Sequence, residues 1–190
     1  MRPKLSFGSS LHSEATFCFI DLAGFTALTE AQGDEDAADV ATRFADVARA
    51  VLGAGDRLVK TIGDAVLITS PVPLSGICFV ERLLDEVALD PRFPALRGGL
   101  HHGGAVHRKD DVFGAAVNLA ARVAAEARHG EVLGTEPIAA AARAHGIPVA
   151  EVCQGQFKRM KSTGLSTTSR REDGRLSRGT CAREVPASSW

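Results

Sequence analysis

The sequence predicts one α/β sandwich domain, in which a mixed or antiparallel β-sheet carries helices packed on one face. Strand-like and helix-like segments alternate along the 190 residues, which is typical of α/β proteins. A Gly63-Asp64 pair between two apolar runs predicts a β-hairpin in the middle of the chain, and a doubly wound parallel sheet contains no such hairpin. The sequence also has neither a GxGxxG nor a GxxxxGK[ST] loop, so the standard dinucleotide and P-loop phosphate sites are excluded.

The first half of the chain has three predicted strands and three predicted helices. A flexible lead-in over residues 1–14 precedes Ala15–Leu22, a short apolar run that fits a buried central strand. A short helix is predicted over Thr26–Ala31. Acidic residues after Gly33 suit the start of a second helix, whose apolar stripe continues to Gly53. The rest of this half is predicted to form strands Asp56–Ile62 and Ala65–Ser70 and a helix over about Leu74–Ala88.

The second half begins with Leu96–His107, a glycine-rich strand of the kind that another backbone or a ligand approaches closely. A polar loop, Arg108–Asp111, leads to a helix that starts at Gly114 and ends near His129. The folded domain is predicted to cover residues 15–161, and residues 162–190, rich in Ser, Thr, Gly and Arg, to be a disordered tail. The remaining predicted elements are strand Glu131–Gly134, a helix from Thr135 to Gly146, and strands Pro148–Cys153 and Gln156–Met160.

The bulk composition is that of an ordinary cytoplasmic globular protein. A hydrophobic content of 45% and a net charge of −1 give no reason to expect a nucleic acid or an anionic membrane as partner. No apolar run approaches the roughly 18 residues of a membrane span, and the N-terminus lacks a secretory signal. Widely spaced cysteines predict incidental thiols rather than a disulfide framework or zinc site: Cys18, Cys78, Cys153 and Cys181. Three histidines on the glycine-rich strand are expected to be structural or exposed: His101, His102 and His107.

Two aspartates follow apolar strands and are candidate metal ligands. Asp21 ends the first strand and Asp64 lies in the hairpin turn. If the two strands are neighbours, their carboxylates meet at one edge of the sheet, where hard oxygen ligands suit Mg²⁺ or Mn²⁺. Each residue alone has an equally ordinary explanation, since Asp21 can cap a helix and Asp64 can serve as a turn residue.

Two further pairs of residues have the chemistry to bind a nucleotide. Lys60 can donate to the ring nitrogen of adenine while Asp111 accepts from its 6-amino group, a polarity that disfavours guanine. Asn118 and Arg122 are four residues apart on one helix, so an amide and a guanidinium lie side by side, as required to hold a ribose oxygen and a phosphate oxygen. A lone lysine on a strand, or an isolated Asn/Arg pair, is more often a solvated surface feature.

Three stretches together resemble the catalytic domain of the class III nucleotidyl cyclases, particularly the small bacterial, mycobacterial-like members. They are FIDLAGFT (Phe19–Thr26), KTIGDAVL (Lys60–Leu67), and DDVFGAAVNLAAR (Asp110–Arg122) followed by HGEVLGT. The resemblance is strong from about Ala15 to Thr135 and fades beyond Gly155. It implies a ferredoxin-like sandwich with a mixed or antiparallel sheet.

The resemblance also implies a role for each candidate residue. Asp21 and Asp64, with the backbone of Leu22, would bind two Mg²⁺ or Mn²⁺ ions per site. The other implied roles are triphosphate binding by the amides of Phe25 and Thr26, adenine selection by Lys60 and Asp111, ribose positioning by Asn118, stabilisation of transition-state charge on the α-phosphate by Arg122, and a phosphate contact by Lys161.

The activity implied is that of an adenylate cyclase, which converts ATP to 3′,5′-cyclic AMP and pyrophosphate at shared sites of a head-to-tail homodimer. The segment after Lys161 departs from the family pattern. The alternative is therefore a catalytically weak or inactive cyclase-like domain that binds a nucleotide or dimerises. Guanylate cyclase activity is a further alternative, which Lys60 and Asp111 oppose.

Overall fold

The computed structural model describes residues 11–151 and 158–160. It shows a mixed β-sheet with helices packed on it. The strands are β1 (Leu11–Leu22), β2 (Arg57–Ile62), β3 (Ala65–Ser70), β4 (Leu96–Arg108), β5 (Asp111–Phe113), β6 (Val132–Gly134), β7 (Val149–Glu151) and β8 (Lys158–Met160). The helices are α1 (Phe25–Gln32), α2 (Asp34–Ala50), α3 (Pro73–Val87), α4 (Ala115–Glu126) and α5 (Glu136–Ala144).

The sheet is built around the antiparallel pair of β1 and β4. Its strand order is β2-β3-β1-β4-β6-β8-β7, and β5 pairs with β4 outside this path. The pairing of β1 with β4 runs from Leu11 opposite His107 to Leu22 opposite Leu96. The β6 strand is parallel to β4, whereas β3 is antiparallel to β1. The predicted mixed sheet is therefore confirmed, but β1 begins at Leu11, so residues 11–14 belong to a strand rather than to a flexible lead-in.

Helices cover both faces of the sheet, so the prediction of helices on one face is wrong. Phe44 of α2 and Leu83 of α3 share a buried cluster with Ile20, and α5 packs on the same side. On the other side, α4 packs over a second cluster that contains Phe17 and Leu67. Because successive side chains of a strand point to opposite faces, the continuous apolar run in β1 needs cover on both.

Two local differences from the predicted elements lie around β4. The predicted loop Arg108–Asp111 is a tight turn, with Lys109 at φ 54°, and Asp111 begins β5, which pairs back on β4. Helix α4 ends at Glu126, three residues before His129. The chain after it turns at Gly130, whose amide donates to the Leu96 carbonyl at 2.8 Å.

Part of the predicted organisation lies outside the described residues, namely Lys161, the tail 162–190, Cys153 and Cys181. Within the described part of the chain, Cys18 is a free and buried thiol. No helix of that part is both long and apolar enough to cross a membrane.

Candidate active site

The end of β1 brings the two predicted metal-binding aspartates together. Asp21 lies opposite Ala65 of β3, and the β2–β3 hairpin turns at Gly63 and Asp64, between the paired residues Ile62 and Ala65. Gly63 has a φ of 60°, as the first central residue of a type II′ turn requires. The hairpin therefore delivers Asp64 to the sheet end at which Asp21 leaves β1.

The electrostatics of this end are those of two carboxylates close together. Burial raises the pKa of Asp64, and the negative charge of Asp21 raises it further. Hydrogen bonds from the backbone at Asp64 and Leu22 and the positive charge of Arg97 act in the opposite direction on that pKa. A cation bound between these carboxylates would relieve their repulsion.

Arg97 is a charged neighbour that the sequence patterns do not predict. It lies opposite Asp21 in the pairing of β4 with β1. Its Nε donates to Asp21 Oδ1 at 2.7 Å and its Nη2 donates to Oδ2 at 2.9 Å. The only sequence signal is a cation at the start of a glycine-rich strand, and its meaning depends on knowing the register of β1 against β4.

The N-terminus of α1 follows directly after this end of β1. Gly24 precedes the helix with a φ of 82°, and no side chain caps the first turn. The first hydrogen bond runs from Leu28 N to the Gly24 carbonyl at 3.1 Å, so the amides of Phe25 and Thr26 come before the helical ladder and suit an anion. The side chain of Leu22 is buried in the core, which leaves only its backbone to face a ligand.

Lys60 and Asp111 form a second polar group, on the face of the sheet that carries α4. Lys60 Nζ donates to both carboxylate oxygens of Asp111, each at 2.8 Å. The Lys60 hydrogen bond is the main cause of the lowered pKa of Asp111. Both side chains keep more than a third of their surface exposed, 40% and 35% respectively, so a ligand can reach them.

A β-bulge in β2 gives Lys60 its direction. Leu58 lies opposite Ile68, but Lys60 rather than Val59 lies opposite Leu67. Leu67 belongs to the cluster on the α4 face. Without the extra residue, Lys60 would lie opposite Val66 and face the other side of the sheet. The β4–β5 hairpin brings Asp111 to Lys60 on this face of the sheet, because Val112 is buried in the same cluster as Leu67.

Asn118 and Arg122 lie on α4 and are exposed to solvent. Among the described residues, neither side chain has a hydrogen-bond or ion-pair partner. Helix α4 is seated directly on β4 at Gly99, where an added Cβ would lie 2.2 Å from the Ala124 nitrogen and 2.5 Å from the Ala120 oxygen. The pair is thus held on a firmly packed helix, and among the described residues it makes no hydrogen bond or ion pair with the aspartates or with Lys60.

The donor set at the end of β1 fits a small hard cation that also binds phosphate. Among the described residues there is no group of three or more His, Cys, Asp or Glu side chains able to hold a metal ion. Two carboxylates and a backbone carbonyl are an incomplete shell, of the kind that Mg²⁺ completes with water and substrate phosphates.

Comparison with known proteins defines the class of this site. The family model "Adenylate and Guanylate cyclase catalytic domain" matches residues 8–163. A pH-sensitive adenylate cyclase of Mycobacterium tuberculosis is 40% identical over 125 residues, which are 66% of this chain and 32% of that protein. An adenylate cyclase of Glutamicibacter nicotianae is 38% identical over 116 residues, 60% of this chain and 29% of that protein. The chain thus spans about a third of the length of the curated relatives it matches.

Solved structures agree on the fold. An adenylyl cyclase, CyaB, from P. aeruginosa superimposes with a TM-score of 0.66 at 20% identity, covering 87% of this chain and all (100%) of that one. A non-canonical dimeric guanylyl cyclase domain of a fusion protein from the aquatic fungus Blastocladiella emersonii gives a TM-score of 0.70 at 17% identity, covering 80% of this chain and 96% of that one. The chain belongs to the family of adenylate and guanylate cyclase catalytic domains, and it is a nucleotidyl cyclase domain.

Proposed function

We propose that this domain is an adenylate cyclase, which forms 3′,5′-cyclic AMP and pyrophosphate from ATP. The observation that carries the choice of base is the Lys60–Asp111 pair, which presents a donor and an acceptor side by side at 2.8 Å. Adenine offers the complementary acceptor and donor on adjacent edge positions, whereas guanine offers the opposite polarity. The relatives named adenylate cyclase support the same substrate.

The end of β1 is proposed to bind the triphosphate and its cations. Asp21, Asp64 and the backbone carbonyl of Leu22 would hold two Mg²⁺ or Mn²⁺ ions. Such ions, when bound, neutralise phosphate charge and lower the pKa of the ribose 3′-hydroxyl. The amides of Phe25 and Thr26 donate to phosphate oxygens at the positive end of the α1 dipole.

Helix α4 is proposed to act on the reacting groups. Asn118 holds the ribose so that its 3′-oxygen attacks the α-phosphorus in line with the leaving pyrophosphate. Arg122 donates to the α-phosphate oxygens as they gain charge, an interaction that strengthens in the transition state. The loss of Arg122 should therefore lower kcat more than it raises KM.

A head-to-tail homodimer is proposed to assemble these groups. Within the described residues, Asn118 and Arg122 make no hydrogen bond or ion pair with Asp21 or Asp64, and both sets are present in one chain. A second copy can therefore supply α4 and the Lys60–Asp111 pair to the aspartates of the first, which gives two equivalent sites. The non-canonical dimer of the structural neighbour supports dimer formation by this fold, and the head-to-tail arrangement is part of the proposal.

The test is cyclic nucleotide production by the purified chain with Mn²⁺ and either ATP or GTP, measured together with its oligomeric state. Cyclic AMP formed by a dimer is the expected result. Asp21→Ala should abolish it, whereas Asp46→Ala, which removes an exposed carboxylate on α2, should leave it unchanged.

Two results would contradict the proposal. A preference for GTP in direct competition would overturn the assignment of Lys60 and Asp111. ATP binding without turnover would favour the weak or inactive nucleotide-binding domain instead.

A further inference from the structure

The pairing of Arg97 with Asp21 is set by the register of the two central strands of the sheet. The two residues are direct cross-strand partners in β1 and β4, so the backbone register itself sets the distance between them. Both hydrogen bonds are short, at 2.7 and 2.9 Å, and they form the two-point fork that binds a carboxylate most firmly. The Asp21 side chain is only 16% exposed, so solvent screens its carboxylate weakly, whereas the Arg97 side chain is 37% exposed.

Arg97 therefore binds Asp21, the same residue that the proposed function assigns to the metal. Each carboxylate oxygen of Asp21 already accepts a hydrogen bond. With Asp64 nearby, two carboxylates and one guanidinium leave a single net negative charge at the end of β1. A divalent cation that approaches Asp21 meets a neutralised ion pair rather than a free carboxylate.

We propose that Arg97 is an internal counter-cation that occupies Asp21 in the metal-free protein and must release it when a divalent cation binds. This inference rests on the proposed function, because it takes Asp21 as a metal ligand. Arg97 is then a positioning residue, which holds Asp21 in place between catalytic cycles and weakens the binding of free cations. Its consequence is a low affinity for the metal when no nucleotide is present.

The test is calorimetric titration of the full chain with Mn²⁺ alone, without nucleotide. Arg97→Met keeps a long side chain on β4 but removes the charge and both donors. Removing a unit positive charge from beside a divalent ion should tighten Mn²⁺ binding at least about tenfold. Adding Asp21→Asn to the Arg97→Met variant should abolish that gain, because the gain depends on the freed carboxylate.

Arg92 provides a matched control. It makes the same two-point fork with Asp90, at 2.9 and 2.8 Å, but in the loop between α3 and β4. Arg92→Met should leave the affinity for Mn²⁺ unchanged. Unchanged or weaker Mn²⁺ binding in Arg97→Met, in a variant that melts cooperatively, would overturn the proposal.

A second measurement needs no variant. In the wild-type chain, the Nε–H signal of Arg97 in a nitrogen–proton NMR spectrum should shift when Mg²⁺ is added, whereas that of Arg92 should not. An Arg97 signal that stays unshifted at saturating Mg²⁺ also overturns the proposal. Neither measurement depends on turnover, so tighter Mn²⁺ binding in a chain that forms no cyclic AMP would support this inference while the proposed function failed.

Discussion

The contact between Gly99 and α4 allows a quantitative test of how this domain places Asn118 and Arg122. A Cβ at Gly99 would lie 2.2 Å from the Ala124 nitrogen, 2.5 Å from the Ala120 oxygen and 2.7 Å from the Val123 carbonyl carbon. These are all backbone atoms, so no side chain can turn away to make room. To reach an ordinary contact distance of about 3.5 Å, the helix has to move by more than about 1 Å.

Gly99→Ala should therefore affect both stability and rate. Overpacking of this kind costs about 1–3 kcal/mol of unfolding free energy, and a shift of about 1 Å in catalytic groups lowers kcat by about a hundredfold. The assays are urea unfolding and cyclic AMP formation at saturating ATP.

Gly104→Ala is the control for this prediction. It makes the same substitution on the same strand, at a position where a Cβ meets nothing within 4 Å. If Gly99→Ala and Gly104→Ala have the same kcat and the same free energy of unfolding, the close packing of α4 on β4 does not position the catalytic groups.

Three other predictions concern the charged groups. Asp21→Ala and Arg122→Ala should each be inactive, and mixing them should restore part of the cyclic AMP production; no rescue despite demonstrated mixed dimers would contradict shared sites. Asp111→Asn should lower the ratio of kcat/KM for ATP to that for GTP at least about tenfold, while unfolding free energy changes by less than about 1 kcal/mol, because its ion pair with Lys60 is exposed. Burial lowers the pKa of His101, so the unfolded chain takes up a proton first and stability should fall as pH drops through about 6.5. Thermal melts at about pH 7.5 and 5.5 should show a smaller loss for His101→Gln, and an equal loss would contradict this reading.

Features that depend on residues close together in the sequence were predictable from it. The apolar stripe of α2 and the Gly63-Asp64 turn are set by local spacing and by backbone preferences, and both elements form within about two residues of the predicted bounds. The cyclase family was identified because three separate stretches occur together, and the comparison with known proteins confirms it.

Features that depend on strand register were not predictable. The bulge before Lys60 decides which face of the sheet that lysine occupies, yet no residue type near it marks an extra position. Arg97 becomes the partner of Asp21 only through the pairing of β1 with β4, across 76 residues of sequence. Placement of α4 on the second face follows from packing in the assembled sheet. In the sequence alone, the unbroken apolar run of β1 is the only sign that both faces of the sheet are covered.

The central position of β1 and β4 also shapes how the chain can fold. The residues between these strands include all of α1, α2 and α3, so their pairing closes a long loop before it gains any hydrogen bond. As the chain emerges from the ribosome, β1 can pair early with β3, but its other edge stays open until β4 has been synthesised. Folding of this domain should therefore be slow, and the Asp21–Arg97 pair can form only after β4 has been synthesised and has paired with β1.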